Sequence, residues 1–255
     1  EQRQLHSWAT PERLGCFAFI EGDTRLLAAF ASGFALYDPD SGRLQWLDRC
    51  EPAGSGRRFN DGRVDRQGRF WAGTMVEDAT RAGPYSAGLY CLGADGRAQR
   101  RESGIGIANG LCWSPDGHTL YFADSPRHAI YAYDFDVDSG RIGNRREFAR
   151  TGPGVEPDGS CVDAEGGLWN AQWGAGRVLR YAPDGRVLET LETPGALQPT
   201  CVAYAGPALD LLCVTSARVG LAPAALAAQA HAGDVFVYRT GTCGLRESHA
   251  RWPAA

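Results

Sequence analysis

RFNDGRVDRQGRFWAGTM, residues 58–75, joins a cluster of polar side chains to a strand signal that recurs along the chain. Arg58, Asn60 and Asp61 lie ahead of Gly62 and an alternating run, so polar groups stand where a connection enters a strand. The remainder, VDRQGRFWAG at 64–73, reads as a strand end, a D-x-x-G turn and a returning apolar strand. The same unit recurs in WSPDGHTLYFAD (113–124) and VDAEGGLW (162–169), with weaker copies at 19–28 and 205–215. The markers Phe19, Val64, Trp113, Val162 and Tyr204 are separated by 45, 49, 49 and 42 residues. Units of that length holding several short strands predict β-propeller blades. Second hairpins fall between the first ones, as in GLYC (88–91) with ADGR (94–97) and VLRY (178–181) with PDGRV (183–187). Two hairpins per unit make one four-stranded blade.

Composition agrees with an all-β chain. The 255 residues are 44% hydrophobic, enough for a core, and 33 Gly with 14 Pro suit many tight turns. Helical periodicity is confined to a short Ala-rich stretch at 223–230. No linker or charge run divides the chain, so a single domain over 1–255 is expected. A net charge of −4, with arginines interleaved among acids and no lysine at all, argues against a nucleic-acid surface. No apolar run is long enough to predict a membrane-spanning helix, and no signal peptide is visible. The eight cysteines lack a C-x-x-C pair, and several fall inside apolar strands as small hydrophobes. Free thiols and a cytoplasmic location are therefore expected.

Three polar positions recur in phase with the repeat: Arg58, Asn60 and Asp61; Asn109; and Asp158. Each lies just upstream of a repeated hairpin. Carboxylate and amide oxygens converging from successive blades suit a hard divalent cation such as Ca²⁺ or Mg²⁺. Asn-Gly and Asp-Gly are also ordinary turn dipeptides, so each position has a turn reading beside the ligand reading. Asp116-Gly117 and Asp184-Gly185 sit in Pro-Asp-Gly turns and are read as turns only. Asp124 and Ser125 could support the site or cap a strand, and Gln172, Trp173 and Arg218 could line a pocket mouth. The five histidines share no spacing, and no Ser-His-Asp pattern is visible.

Together RFNDGRVDRQGRFWAGTM, IANGLCWSPDGHTLYFADS (107–125) and PDGSCVDAEGGLWNAQWGAGRVLRYAPDGRV (157–187) resemble, in order and spacing, the hallmark segments of the SMP-30/gluconolactonase family. The resemblance runs over nearly the whole chain. It implies a six-bladed β-propeller holding one divalent metal ion (Ca, Zn, Mg, Mn or Fe) and, usually, hydrolysis of a sugar lactone. It assigns metal binding to Asn109 and Asp158, with Asp158 also the catalytic base. It further assigns substrate contact to Arg58 and Asn60, and to Asp78 beside Glu77. A monomer or weak homo-oligomer is expected, with neither nucleic acid nor membrane as partner. The alternatives are a non-catalytic calcium-binding or interaction propeller, and a propeller esterase or phosphotriesterase.

One family segment is missing. The first metal ligand of the family is a Glu in a G-E-G/S-P-x-W segment that opens the first blade, and no such segment occurs here. Glu12 and Glu21 stand in other contexts and are not assigned that role. QRQLHSW at 2–8 resembles the close of the first blade, which is therefore expected to be incomplete, and DVFVY at 234–238 is expected to join N-terminal strands. Either the natural protein has a further N-terminal segment or this is a diverged member; an unclosed ring with exposed strand edges favours the first. Without that ligand, metal binding by this polypeptide is expected to be weak.

Overall fold

Nineteen short strands carry the regular structure of residues 6–253, the part of this computed structural model that is described. They form five antiparallel meanders, each running outward from its first strand. Strands β1 (Leu14–Phe19), β2 (Leu26–Phe30), β3 (Gly33–Tyr37) and β4 (Leu44–Asp48) make the first sheet. The second contains β5 (Arg57–Val64), β6 (Phe70–Val76), β7 (Ala87–Leu92) and β8 (Ala98–Ile105), with the single-turn helix α1 (Ala79–Ala82) after β6. The third contains β9 (Ala108–Trp113), β10 (Thr119–Asp124), β11 (Ala129–Phe135) and β12 (Ile142–Arg150), and the fourth β13 (Glu156–Val162), β14 (Leu168–Trp173), β15 (Arg177–Tyr181) and β16 (Val187–Glu192). The fifth holds three strands, β17 (Pro199–Ala205), β18 (Leu211–Ser216) and β19 (Val235–Tyr238), with α2 (Pro223–Ala228) between the last two. The chain divides into two compact units: Glu1–Ile105 with Ser248–Ala255, holding the first two sheets, and Gly106–Glu247, holding the other three.

The repeated turn has a physical cause in a buried carboxylate. Asp65 is fully buried; its Oδ1 accepts the backbone N–H groups of Gln67 and Arg69, and its Oδ2 accepts the Trp71 indole at 3.0 Å. Asp163 repeats this, accepting Glu165 N, Gly167 N and the Trp169 indole at 2.9 Å. The charges are paired with Arg69 and Arg180. One residue thus closes the hairpin and anchors the large aromatic of the returning strand, which satisfies a buried charge that would otherwise be costly. Around these anchors each unit packs its own apolar clusters: Phe34 meets Phe59 and Phe70 edge to face in the first, and Trp169, Val178, Val202 and Val214 cluster in the second. All eight cysteines are free thiols, and burial pushes those of Cys50 and Cys91 up to about 12.

The polar dipeptides singled out above are not turns. Asn60-Asp61-Gly62, Asn109-Gly110 and Asp158-Gly159 all lie within first strands, at breaks in register against the second strand. The breaks recur in every sheet: at Gly15 between Leu14 and Cys16, at Asn60 and Asp61, after Asn109, at Asp158 and Gly159, and at Thr200. Gly15, Asn60, Asn109, Asp158 and Thr200 each stand four residues before the repeat marker. A β-bulge re-aims the side chain it carries, and here the same device is used five times. The adjoining glycines make room for the neighbouring first strand. A Cβ on Gly110 would lie 2.8 Å from Ser160 Oγ and 2.9 Å from the Asp158 carbonyl, and one on Gly15 would lie 2.9 Å from the Asn60 carbonyl. By contrast Asp116-Gly117 and Asp184-Gly185 are the turns expected of them, with Gly117 and Gly185 at φ 77° and 86°.

Two expectations are corrected. The described residues make five sheets, not six blades, because units of 42 to 49 residues leave no length for another within 255. Residues 235–238 do not join N-terminal strands; β19 pairs with β18 as the third strand of the fifth sheet. What reaches the first sheet is the C-terminal tail, where Ala250 bridges Ile20 and Trp252 packs on the core. Of the stretch read as the close of a first blade, residues 2–5 lie outside the described residues, and His6, Ser7 and Trp8 form no strand. On β1, Phe17 and Phe19 are 46% and 60% exposed, whereas Leu111 and Trp113 at the same register of β9 are buried.

The bulge packing can be checked with two glycines of similar φ. Gly110→Ala combines a left-handed backbone (φ 63°) with collision against Asp158 and Ser160, while Gly42→Ala (φ 70°) meets nothing within 4 Å. Urea unfolding is expected to show about 3 kcal/mol lost for Gly110→Ala and about 1 kcal/mol for Gly42→Ala. Equal losses would mean that the close approach at Gly110 is unimportant.

Candidate functional site

In the first unit, β5 and β6 place Arg58 and Glu77 side by side. The Arg58 Nε donates to Glu77 Oε1 at 2.9 Å, and its Nη1 donates to the Phe59 carbonyl at 3.0 Å and Asn60 Oδ1 at 3.2 Å. The guanidinium is thereby held beside the bulge that carries Asn60. Arg58, with Arg13 on the same carboxylate oxygen, holds the Glu77 carboxyl below the usual carboxylate range. Asp78 has a different local task. It caps α1, accepting Thr80 N at 3.0 Å and the Thr80 hydroxyl, and pairs with Arg81. Arg58, Glu77, Asp78 and Arg81 line a cleft of about 460 Å³ together with Glu12, Glu51 and Arg57, and Asn60 is not among its lining residues. Glu51 is buried and paired with Arg57 at 2.8 Å, and Glu12 is engaged by Ser32 and Arg49.

The second unit holds Asn109 and Asp158 on adjacent first strands. The strand bearing Asn109 is anchored by Asp124, whose buried carboxylate accepts Gly106 N and Ile107 N at 3.1 Å. Burial pushes the Asp124 carboxyl up, against the pull of those amides and of Arg127. Asn109 is itself buried, and its Nδ2 donates to Ser125 Oγ at 2.9 Å. Its amide is thus fixed with nitrogen toward Ser125 and oxygen on the opposite side. The Ser125 hydroxyl donates onward to the Pro157 carbonyl at 2.8 Å, so one buried hydroxyl ties Asn109 to the residue before Asp158. Asp158 is half-buried, and its carbonyl accepts Asn170 Nδ2 at 2.8 Å. Thr200 takes the equivalent position on β17, its hydroxyl 2.6 Å from that of Thr215.

Sequence reading and structure thus agree on which residues share a structural position. Of the two readings of Ser125 the structure takes the supporting one, a buried bridge between Asn109 and Pro157, whereas Gln172 is buried at 1% exposure rather than placed at a mouth. Gly15, Thr200 and Asn170 were missed. The first two were findable by counting four residues back from every marker, whereas Asn170 carried no signal inside an apolar strand.

The donors in the second unit are oxygens: an amide whose nitrogen is already committed, a carboxylate, and a hydroxyl one strand further on. That set fits a hard divalent cation in kind, since Ca²⁺ and Mg²⁺ take carboxylate and amide oxygens. Among the described residues no group of three or more His, Cys, Asp or Glu side chains gathers as a metal cluster, so a cation here would depend on amide and hydroxyl oxygens as well. Among the same residues no helix is long and apolar enough to cross a membrane.

Comparison with known proteins places this arrangement in context. A sequence model described as the SMP-30/gluconolactonase/LRE-like region matches residues 1–218. The chain is similar to the L-arabinolactonase of Azospirillum brasilense, 43% identical over 243 residues that cover 94% of this chain and 79% of that protein. It is also 40% identical to the 6-deoxy-6-sulfogluconolactonase of Pseudomonas putida, covering 93% and 80% of the two chains. Among solved structures, the calcium-binding protein regucalcin from Agrobacterium tumefaciens superposes with a TM-score of 0.87 at 35% identity, covering 94% of this chain and 80% of that one.

The Arg58–Glu77 contact gives a check on the first-unit geometry. Glu77 is depressed in the folded state, so its contribution is present above the unfolded carboxylate value of about 4.3 and is lost as pH falls through the lower folded value. Because Glu77 is 48% exposed, solvent screening limits the coupling. A double-mutant cycle of Arg58→Met and Glu77→Gln is expected to give about 0.5 kcal/mol at pH 7 and to shrink steadily as the pH is lowered below the ordinary carboxylate range. Coupling that does not change with pH would exclude the ion pair as its source.

Proposed function

The chain belongs to the SMP-30/gluconolactonase/LRE-like family, and on that premise we propose that it opens the ring of a sugar lactone by metal-assisted hydrolysis. The single observation that carries the site assignment is the shared bulge register, which sets Asn109 and Asp158 at one structural position on adjacent strands. The substrates named by the lactonase relatives, arabinolactone and a sulfogluconolactone, support a five- or six-carbon aldonolactone as the substrate class.

In this reading Asn109 and Asp158 contribute oxygens to a divalent cation, which supplies Lewis acidity toward the lactone carbonyl when bound. The Asp158 carboxylate takes a proton from water as the water oxygen forms its bond to the carbonyl carbon. The ring C–O bond then breaks, and the departing ring oxygen receives the proton. The product is the open hydroxy acid, which releases a proton to solvent at neutral pH. Arg58 and Asn60 hold the polyol hydroxyls, because a guanidinium presents fixed donors and the amide both donates and accepts. Asp78 supplies a further acceptor at the rim.

The test is acid release from L-arabinono- and D-gluconolactone with Ca²⁺, Mn²⁺ or Zn²⁺ supplied. The protein is expected to turn over at least one lactone, and Asp158→Asn is expected to lose about a thousandfold in kcat with its circular dichroism unchanged. Asn109→Ala is expected to behave similarly. Asp78→Asn retains an N-cap acceptor and so is expected to raise KM without shifting the melting temperature. Unchanged turnover in Asp158→Asn removes the base from the mechanism. Preferential hydrolysis of an aryl ester or an organophosphate would move the reading to a propeller esterase or phosphotriesterase, and no product at all would favour a calcium-binding propeller without catalysis.

A further inference from the structure

We propose that Asn170 is a positioning residue for Asp158, oriented in turn by Gln172. The second strands of the five sheets place Ala28, Ala72, Phe122, Asn170 and Val214 at one register, each two residues beyond the residue paired with the repeat marker. All five are buried to 1% exposure or less, and four are apolar. Only the sheet that carries Asp158 spends an amide there. A buried amide is costly unless its hydrogen bonds are made.

Those bonds are made, and they go to the bulge. Asn170 Nδ2 donates to the Asp158 carbonyl at 2.8 Å and to Ser160 Oγ at 2.9 Å, while its Oδ1 accepts Gln172 Nε2 at 2.6 Å. The register on β14 runs from Gln172, opposite Pro157, straight to Asn170, opposite Ser160, so the pairing shifts across Asp158 and Gly159. Asn170 donates to the Asp158 carbonyl inside that shift, and Ser125 donates to the preceding carbonyl, that of Pro157. The peptide planes on both sides of the Asp158 α-carbon are therefore pinned by buried side chains. With both planes set, the direction of the Asp158 Cα–Cβ bond is set as well. Gln172 keeps the Asn170 amide from flipping, since a flipped amide would turn its oxygen toward the Asp158 carbonyl.

The positioning claim rests on the lactonase reading only for its kinetic arm. Asn170→Ala, Gln172→Ala and Val214→Ala are compared by crystal structure, melting temperature and steady-state kinetics on the lactone that the protein turns over best. Asn170→Ala is expected to rotate the peptide planes flanking Asp158 and to lower kcat 10- to 100-fold with KM changed less than about threefold. Gln172→Ala is expected to lose a few-fold in kcat. Val214→Ala, at the same register of β18, lowers the melting temperature and leaves kcat alone, so it marks what a merely structural residue does. Should Asn170→Ala fail to fold, Asn170→Ser, which keeps a shorter donor, is read in its place and is expected to fall between wild type and the alanine effect. The claim is overturned if the folded variant keeps kcat within twofold of wild type, or if the peptide planes around Asp158 are unmoved. If the wild type hydrolyses no lactone, the functional reading fails while the crystal structures still decide the role of Asn170.

Discussion

The rest of this structure depends on the contact of one first strand with the next, backbone against backbone, at a bulge. Ordinary side chains hold strands of different sheets too far apart for a residue of one to share hydrogen bonds with the other. Here Gly110 lies close against the Asp158 carbonyl and Ser160, Gly159 against Cys201, and Gly15 against Asn60. Close approach demands glycine, and the register shifts beside each of these glycines.

The two units use these positions differently. In the first, the groups near Asn60 are charged and cross-linked: Arg58 to Glu77, Arg57 to Glu51, with Asp78 capping a helical turn. In the second, neutral amides and hydroxyls hold the Asn109 side chain and the backbone on either side of Asp158: Ser125, Asn170, Gln172 and Ser160. The cleft of the first unit is charged, whereas the network of the second is built of amides and hydroxyls.

Much of this was legible in the sequence because it repeats. The period, the hairpins and the in-phase placing of Asn60, Asn109 and Asp158 needed only a count of residues. Even the buried Asp65 and Asp163 announced themselves through the shared spacing from Asp to Gly to Trp. The dipeptides misled locally, since Asn-Gly and Asp-Gly have the same composition in a bulge as in a turn. Only the neighbouring strand, distant in sequence, makes the difference. Asn170 was illegible for the same reason, because its value lies wholly in which carbonyl stands opposite it. Residues 235–238 have a strand pattern that fits any sheet edge, so pattern alone could not assign them to β18.

Asn109 on β9 and Asp158 on β13 are proposed to hold one cation between them. Crystals soaked in Mn²⁺ and measured for its anomalous scattering address this directly. The predicted result is a single anomalous peak within coordinating distance of Asn109 Oδ1 and an Asp158 carboxylate oxygen, lost in Asp158→Asn. A peak held by other residues, or one that persists unchanged in Asp158→Asn, would contradict it.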